Sequence, residues 1–169
     1  MRTIAPLALA SLVLAKPTVY LIRHSEKPKD GNGLNEEGEQ RVQCLRTVFG
    51  AGSGYNITHI MAQTPKSNGK RKRPYDTVRP LADDLGLAVD ILCDRDDSKC
   101  VADFVNSYTV DGNILICWQH GEMKTVAKRL GAKGVKDYPD DRFDLVWTLP
   151  YDYKEIVSIE SENCPGLDG

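Results

Sequence analysis

The chain is 169 residues long, 41% hydrophobic, with a formal net charge of −2. That length fits one domain with a genuine core, and the composition carries neither repeats nor a disorder bias. The near balance of charge excludes a global field that would make nucleic acid or an anionic membrane the default partner; the exception is local, at Lys66, Lys70, Arg71, Lys72 and Arg73.

Residues 1–15, MRTIAPLALASLVLA, place one basic residue before an apolar stretch, with Val13 and Ala15 as small residues at the minus-three and minus-one positions of a cleavage site. The pattern predicts a secretory signal peptide; the alternative is an apolar segment packed on the domain. It is shorter than the about 20 apolar residues that span a bilayer. Residues 16–169 are therefore expected to form a single secreted domain with no membrane partner after cleavage.

The first strand is predicted from Thr18, where TVYLIR runs apolar and stops at His24. A run of this kind that ends abruptly in polar residues reads as a buried parallel strand. Asn35 then serves as a helix N-cap with Glu36 and Glu37 in the first turn, Val42, Leu45 and Phe49 share one face, and Gly50 closes the helix. A second strand, Thr58 to Thr64, leads through Pro65 into the basic run. The next helix has Pro74 in its first turn, Val78, Leu81, Ala82 and Leu85 inward, and Gly86 as its stop. Pro80 falls inside it and predicts a kink.

Leu87 to Leu92 reads as a short strand, and Val101, Phe104, Val105 and Tyr108 as the stripe of a third helix. The strand Asn113 to Trp118 follows and again runs into a histidine, His120. A helix with Met123, Val126, Ala127 and Leu130 inward comes next, then strands Phe143 to Pro150 and Glu155 to Ser161. Strands alternating with helices predict a three-layer α/β/α domain around a mainly parallel sheet. His24 and His120 then stand at strand C-terminal ends, where such sheets place their ligands, and Arg23 stands beside one of them.

Five cysteines fit a secreted chain. Cys117 lies inside an apolar strand, where a free thiol packs as a small hydrophobe. A bridge between Cys93 and Cys100 would clamp the acidic loop DRDDSK, and Cys44 with Cys164 would then tie the tail to a helix, although spacing alone leaves the connectivity open. No paired C-x-x-C pattern is present, so no metal and no cofactor is expected. The sequon Asn56-Ile57-Thr58 suits the same compartment.

Four segments, in order, resemble the histidine phosphatase superfamily: RHSEKP after the first strand, LNEEGEQRVQCL, RPYDTVRPLADDLGL with its Arg-x-x-x-Thr spacing from Arg73 to Thr77, and CWQHGEM. The resemblance covers nearly all of residues 16–169. It implies the phosphoglycerate-mutase-like fold of the small branch without a large cap. It also implies His24 as a nucleophile that becomes a phosphohistidine, with Arg23, Arg73 and His120 around the phosphoryl oxygens.

Those residue types suit the chemistry. Phosphoryl transfer asks for in-line positioning and neutralised equatorial oxygens, guanidinium groups donate in planar pairs, and a neutral imidazole is available near pH 7. A leaving alkoxide needs a proton. Glu122, two residues past His120, is the favoured acid, with Asp94 as the alternative and Asp96 and Asp97 in the same run. Ser25 replaces the usual small residue after the nucleophile and brings a hydroxyl; Glu26 and Lys27 are expected to line the pocket or orient the loop. The insert between Thr64-Pro65 and Arg73 reads as a cationic lip, with Arg71 as the fallback for Arg73 as phosphate ligand. The expected activity is metal-independent hydrolysis of small phosphomonoesters. A phosphomutase, or an anion-binding protein without turnover, is the alternative.

Overall fold

The structure is a computed structural model that describes residues 15–168. The predicted signal peptide, Ala15 apart, lies outside the described residues. Six strands, β1 (Val19–Arg23), β2 (Ile57–Ala62), β3 (Val89–Asp90), β4 (Asn113–Trp118), β5 (Leu145–Leu149) and β6 (Ser158–Ser161), form one sheet in the order β3-β2-β4-β1-β5-β6. The first four in that order are parallel; β5 runs antiparallel to β1, and β6 antiparallel to β5.

Four helices cover the sheet: α1 (Glu36–Val48), α2 (Arg73–Leu85), α3 (Ser98–Ser107) and α4 (His120–Leu130). Alternate residues of the central strands feed two separate cores, as the pleat requires. Leu21, Ile114, Ile116 and Trp118 pack with Val101, Val105, Met123 and Val126 of α3 and α4. Ile22, Leu115 and Cys117 pack with Leu45, Val78 and Leu81 of α1 and α2. The expected three layers are therefore present. No helix among the described residues is long and apolar enough to cross a membrane.

Local chemistry sets the helix ends. Asn35 accepts a hydrogen bond from Gly38 N at 2.8 Å, Asp97 caps α3 by accepting from Cys100 N at 3.0 Å, and Gly86 ends α2 in the left-handed region at φ 66°. Pro80 lies inside a helix that runs unbroken from Arg73 to Leu85. Three strands, β3, β5 and β6, are shorter than their sequence patterns by at least three residues each. Strand β3 keeps two residues, because it has only β2 as a neighbour and the chain leaves the sheet at Leu92, which is 85% exposed.

Cys44 is bonded to Cys164 and Cys93 to Cys100, while Cys117 is free and buried. The first bridge docks the C-terminal tail on α1. Beside it Arg41 is 1% exposed and donates to Glu26 from α1's neighbouring loop, to Glu162 Oε2 and Asp168 Oδ1 at 2.8 Å each, and to Leu167 O. One guanidinium thus gathers three carboxylates, one of them two residues from His24. Gly38 makes this approach feasible: a Cβ there would stand 2.3 Å from Glu26 O.

Candidate active site

The C-terminal ends of three adjacent parallel strands, β2, β4 and β1, open on one crevice. They deliver Gln63, then Gln119 and His120, then His24. His24 N donates to Trp118 O at 3.2 Å, which ties the loop that carries His24 to β4. Gln119 N donates to Gln63 Oε1 at 3.3 Å, tying β4 to β2. A cavity of ≈ 220 Å³ lies over these ends, with His24, Gln63, Arg71, Arg73, Arg95 and Gln119 in its wall and no carboxylate. A larger cavity of ≈ 480 Å³, beside Val135, Trp147 and Ile156 at the antiparallel edge, contains no histidine or arginine and cannot support the same chemistry.

His24 is 4% exposed, and its Nδ1 lies 2.7 Å from Ser25 O. A carbonyl only accepts, so Nδ1 carries the proton and the lone pair sits on Nε2. Burial, then the charges of Arg23, Arg73 and His120, pushes its pKa down to about 4, the Ser25 carbonyl opposing. The ring is therefore neutral and nucleophilic at pH 7. Because the folded value lies below the usual 6.5, the unfolded chain binds the extra proton first, and this contribution to stability is lost as pH falls from 6.5 towards 4. An NMR titration of the His24 ring should have its midpoint near 4; a midpoint at 6.5 or above would contradict this account of the site.

Thr77 gives the Arg-x-x-x-Thr spacing a physical meaning. Its Oγ1 donates to Arg73 O at 2.8 Å and accepts from Ser25 N at 2.9 Å, so the first turn of α2 holds the loop that carries His24. The Arg73 side chain donates to Gly33 O at 2.9 Å and to Gly31 O, which fixes the loop before α1 against the cavity. Arg71, expected as a fallback, lines the cavity as well. Lys72 turns away to Asp76 at 2.9 Å, so the cationic lip is made by Arg71 and Arg73 rather than by the whole basic run.

On the other side of His24 the 139–142 segment closes over Arg23. Nη1 donates to Asp140 O at 2.8 Å and Arg142 O at 2.6 Å, and the guanidinium stacks on Phe143 with 3.7 Å to the ring centroid. Arg23 Nε is buried with no partner. His120 Nε2 lies 3.0 Å from Asp140 Oδ1 and so acts as the donor; burial and the Arg23 charge press its pKa down, while Asp140 opposes them. Neither Arg23 nor His120 lines the ≈ 220 Å³ cavity, although both charges are felt at His24.

The remaining expected residues are placed as follows. Ser25 is fully buried, its Oγ without a partner and outside the cavity wall. Glu26 does not line the pocket: its carboxylate is held by Arg41, with Arg41 Nη2 at 2.7 Å from Oε1, so it orients the loop instead. Lys27 is exposed and reaches the site only through its charge on His120. Asp94 pairs with Arg71 at 2.6 Å on the solvent side, its side chain 67% exposed. Glu122 is half-buried in the first turn of α4, and its charge is felt by Arg95. Among the described residues no three His, Cys, Asp or Glu side chains gather as around a metal ion.

Four residues escaped sequence reasoning: Gln63, Gln119, Arg95 and Asp140. Gln63 and Gln119 carry the same strand-end signal that marks the histidines. Arg95 is hidden in the DRDD run, which draws attention to its aspartates.

This arrangement, a mainly parallel sheet with a histidine after each of its two central strands and, among the described residues, no large cap, is a fold shared with solved histidine phosphatases. The protein histidine phosphatase SixA, solved with tungstate, superimposes with a TM-score of 0.64 at 14% identity, over 86% of this chain and 97% of that one. The SixA protein of Agrobacterium tumefaciens gives 0.61 at 14% identity over 86% and 98%. A mycobacterial glucosyl-3-phosphoglycerate phosphatase, solved with inorganic phosphate, gives 0.50 at 16% identity over 68% and 79%. The sequence matches no protein-family model and no curated protein.

Proposed function

We propose that the protein is a metal-independent phosphatase that hydrolyses small phosphomonoesters through a phosphohistidine on His24. The observation that carries this reading is a neutral imidazole with Nε2 free, at the floor of a cavity walled by arginines and free of carboxylates. Nε2 attacks phosphorus and the ester P–O bond breaks. Arg73 takes charge from the equatorial oxygens at the cavity wall, and Arg23 and His120 do so through their field from just behind it. Glu122 gives its proton to the departing alkoxide, Asp94 being the alternative acid. The Glu122 carboxylate then takes a proton from water, whose oxygen attacks the phosphohistidine; the P–Nε2 bond breaks, phosphate leaves, and the neutral imidazole and the acid are restored. Dividing the hydrolysis into two displacements lowers each barrier.

A mutase requires the phosphohistidine to survive water until product is rephosphorylated. The phosphatase reading is preferred because the described residues include no large cap that would exclude water. The signal-peptide and secretion expectations belong to the same reading, and both disulfides are consistent with an oxidising compartment.

The test is release of phosphate from a nitrophenyl phosphate with a chelator present. Turnover is expected, and folded protein without turnover between pH 4 and 8 overturns the reading. Glu122→Gln should lower kcat for an alkyl phosphate about 10²-fold while barely changing the nitrophenyl ester, whose leaving group needs no proton. Equal losses on both substrates would remove Glu122 from the acid role.

A further inference from the structure

A monoester alone leaves part of this cavity unexplained. Arg73 donates to the Gly31 and Gly33 carbonyls, yet Arg71 and Arg95 line the same cavity with it. Two guanidinium groups besides Arg73 therefore stand in the cavity wall. They come from separate segments, Arg71 from the basic insert and Arg95 from the loop that Cys93–Cys100 clamps.

Both are built in. Arg71 takes a left-handed backbone, φ 62°, that a non-glycine residue adopts only under constraint, and Gln63 Nε2 donates to its carbonyl at 3.3 Å. Trp118 Nε1 donates to Arg95 O at 3.0 Å. Asp96 accepts from both side chains, from Arg71 Nη2 at 3.1 Å and from Arg95 Nε at 2.7 Å and Nη2 at 3.1 Å, so one carboxylate holds the two side by side. Asp94 and Asp96 are 67% and 53% exposed in their side chains, whereas Arg71 is 18% and Arg95 33%. The carboxylates thus grip the guanidinium groups from the solvent side and leave the cavity side positive.

We propose that Arg71 and Arg95 form a second anion subsite, and that the substrates are small phosphomonoesters bearing another anionic group close to the ester. The inference rests on the phosphatase reading for its substrate class. It does not rest on it for the subsite, because anion binding at Arg71 and Arg95 needs no turnover. A flanking carboxylate or phosphate meets two preorganised planar donors here, and a neutral group of the same shape leaves them facing nothing.

Two arms test this. In the first, kcat/KM is compared for para-carboxyphenyl phosphate and para-carbamoylphenyl phosphate, which are alike in shape and differ in charge. Wild type should favour the carboxylate by about tenfold or more, as a charge-assisted hydrogen-bond pair supplies. Arg71→Gln and Arg95→Gln should each move that ratio towards one. In the second, calorimetry compares para-carboxybenzyl and para-carbamoylbenzyl phosphonate, neither of which can be hydrolysed, and the same preference is expected. A ratio near one in wild type, or a ratio unchanged in both variants, overturns the subsite. Preference in calorimetry without any hydrolysis keeps the subsite and overturns the phosphatase reading.

Discussion

His24→Ala should lower turnover of an aryl phosphate by at least about 10⁴-fold while the protein stays folded. The size follows from what the side chain supplies. In the proposed mechanism its Nε2 lone pair forms the bond to phosphorus, and among the described residues lining the cavity no second imidazole can take over. Folding should survive, because the loop keeps its backbone ties from His24 N to Trp118 O and from Ser25 N to Thr77 Oγ1. The arginines also lose a ring rather than a counter-charge, so phosphate binding should persist. Near-UV circular dichroism beside the activity assay separates the two effects. Turnover in the variant within tenfold of wild type would remove His24 as nucleophile.

Arg41→Ala should be the most damaging substitution outside the crevice. It leaves Glu26, Glu162 and Asp168 without the guanidinium that joins them, and removing one partner of a buried ion pair costs about 3–5 kcal/mol. Glu162 shows the strain on this cluster. Burial raises its pKa to about 8, with the Asp168 and Asp144 charges adding to it, although Arg41 pulls it down. The Cys44–Cys164 bridge closes 120 residues of chain and is worth about 5 kcal/mol by loop entropy, so Cys44→Ser should cost a similar amount. The two variants differ in function. Arg41→Ala also frees Glu26, two residues from His24, and should lower kcat more than Cys44→Ser does at equal folded fraction. Urea unfolding with kinetics on the folded fraction checks this; equal kcat in both would confine Arg41 to a structural role.

Much of this was legible in the sequence wherever the signal was local. An apolar run ending at His24 and another ending before His120 located two neighbouring strands, since burial on both sheet faces demands such runs. The Arg73 to Thr77 spacing located one helical turn, in which Thr77 bonds both the Arg73 carbonyl and the loop after His24. Both cysteine pairs were also placed. What the sequence hid depends on distant segments meeting. Glu26 looks like a pocket residue until Arg41 takes its carboxylate, and Arg71 looks like a spare cation until Asp96 sets it beside Arg95. The 139–142 segment has no periodicity to mark it, yet its carbonyls and Asp140 hold Arg23 and His120. Edge strands β3 and β6 were overextended because pairing on one side, not local propensity, decides where they stop.

The central claim is a covalent bond between His24 and phosphorus. Enzyme mixed with an aryl phosphate, quenched in alkali within one turnover and digested, should yield one peptide carrying a single acid-labile phosphoryl group on His24, absent from His24→Ala. Hydrolysis that proceeds with no phosphoryl group on His24, or with one on another residue, would contradict the account.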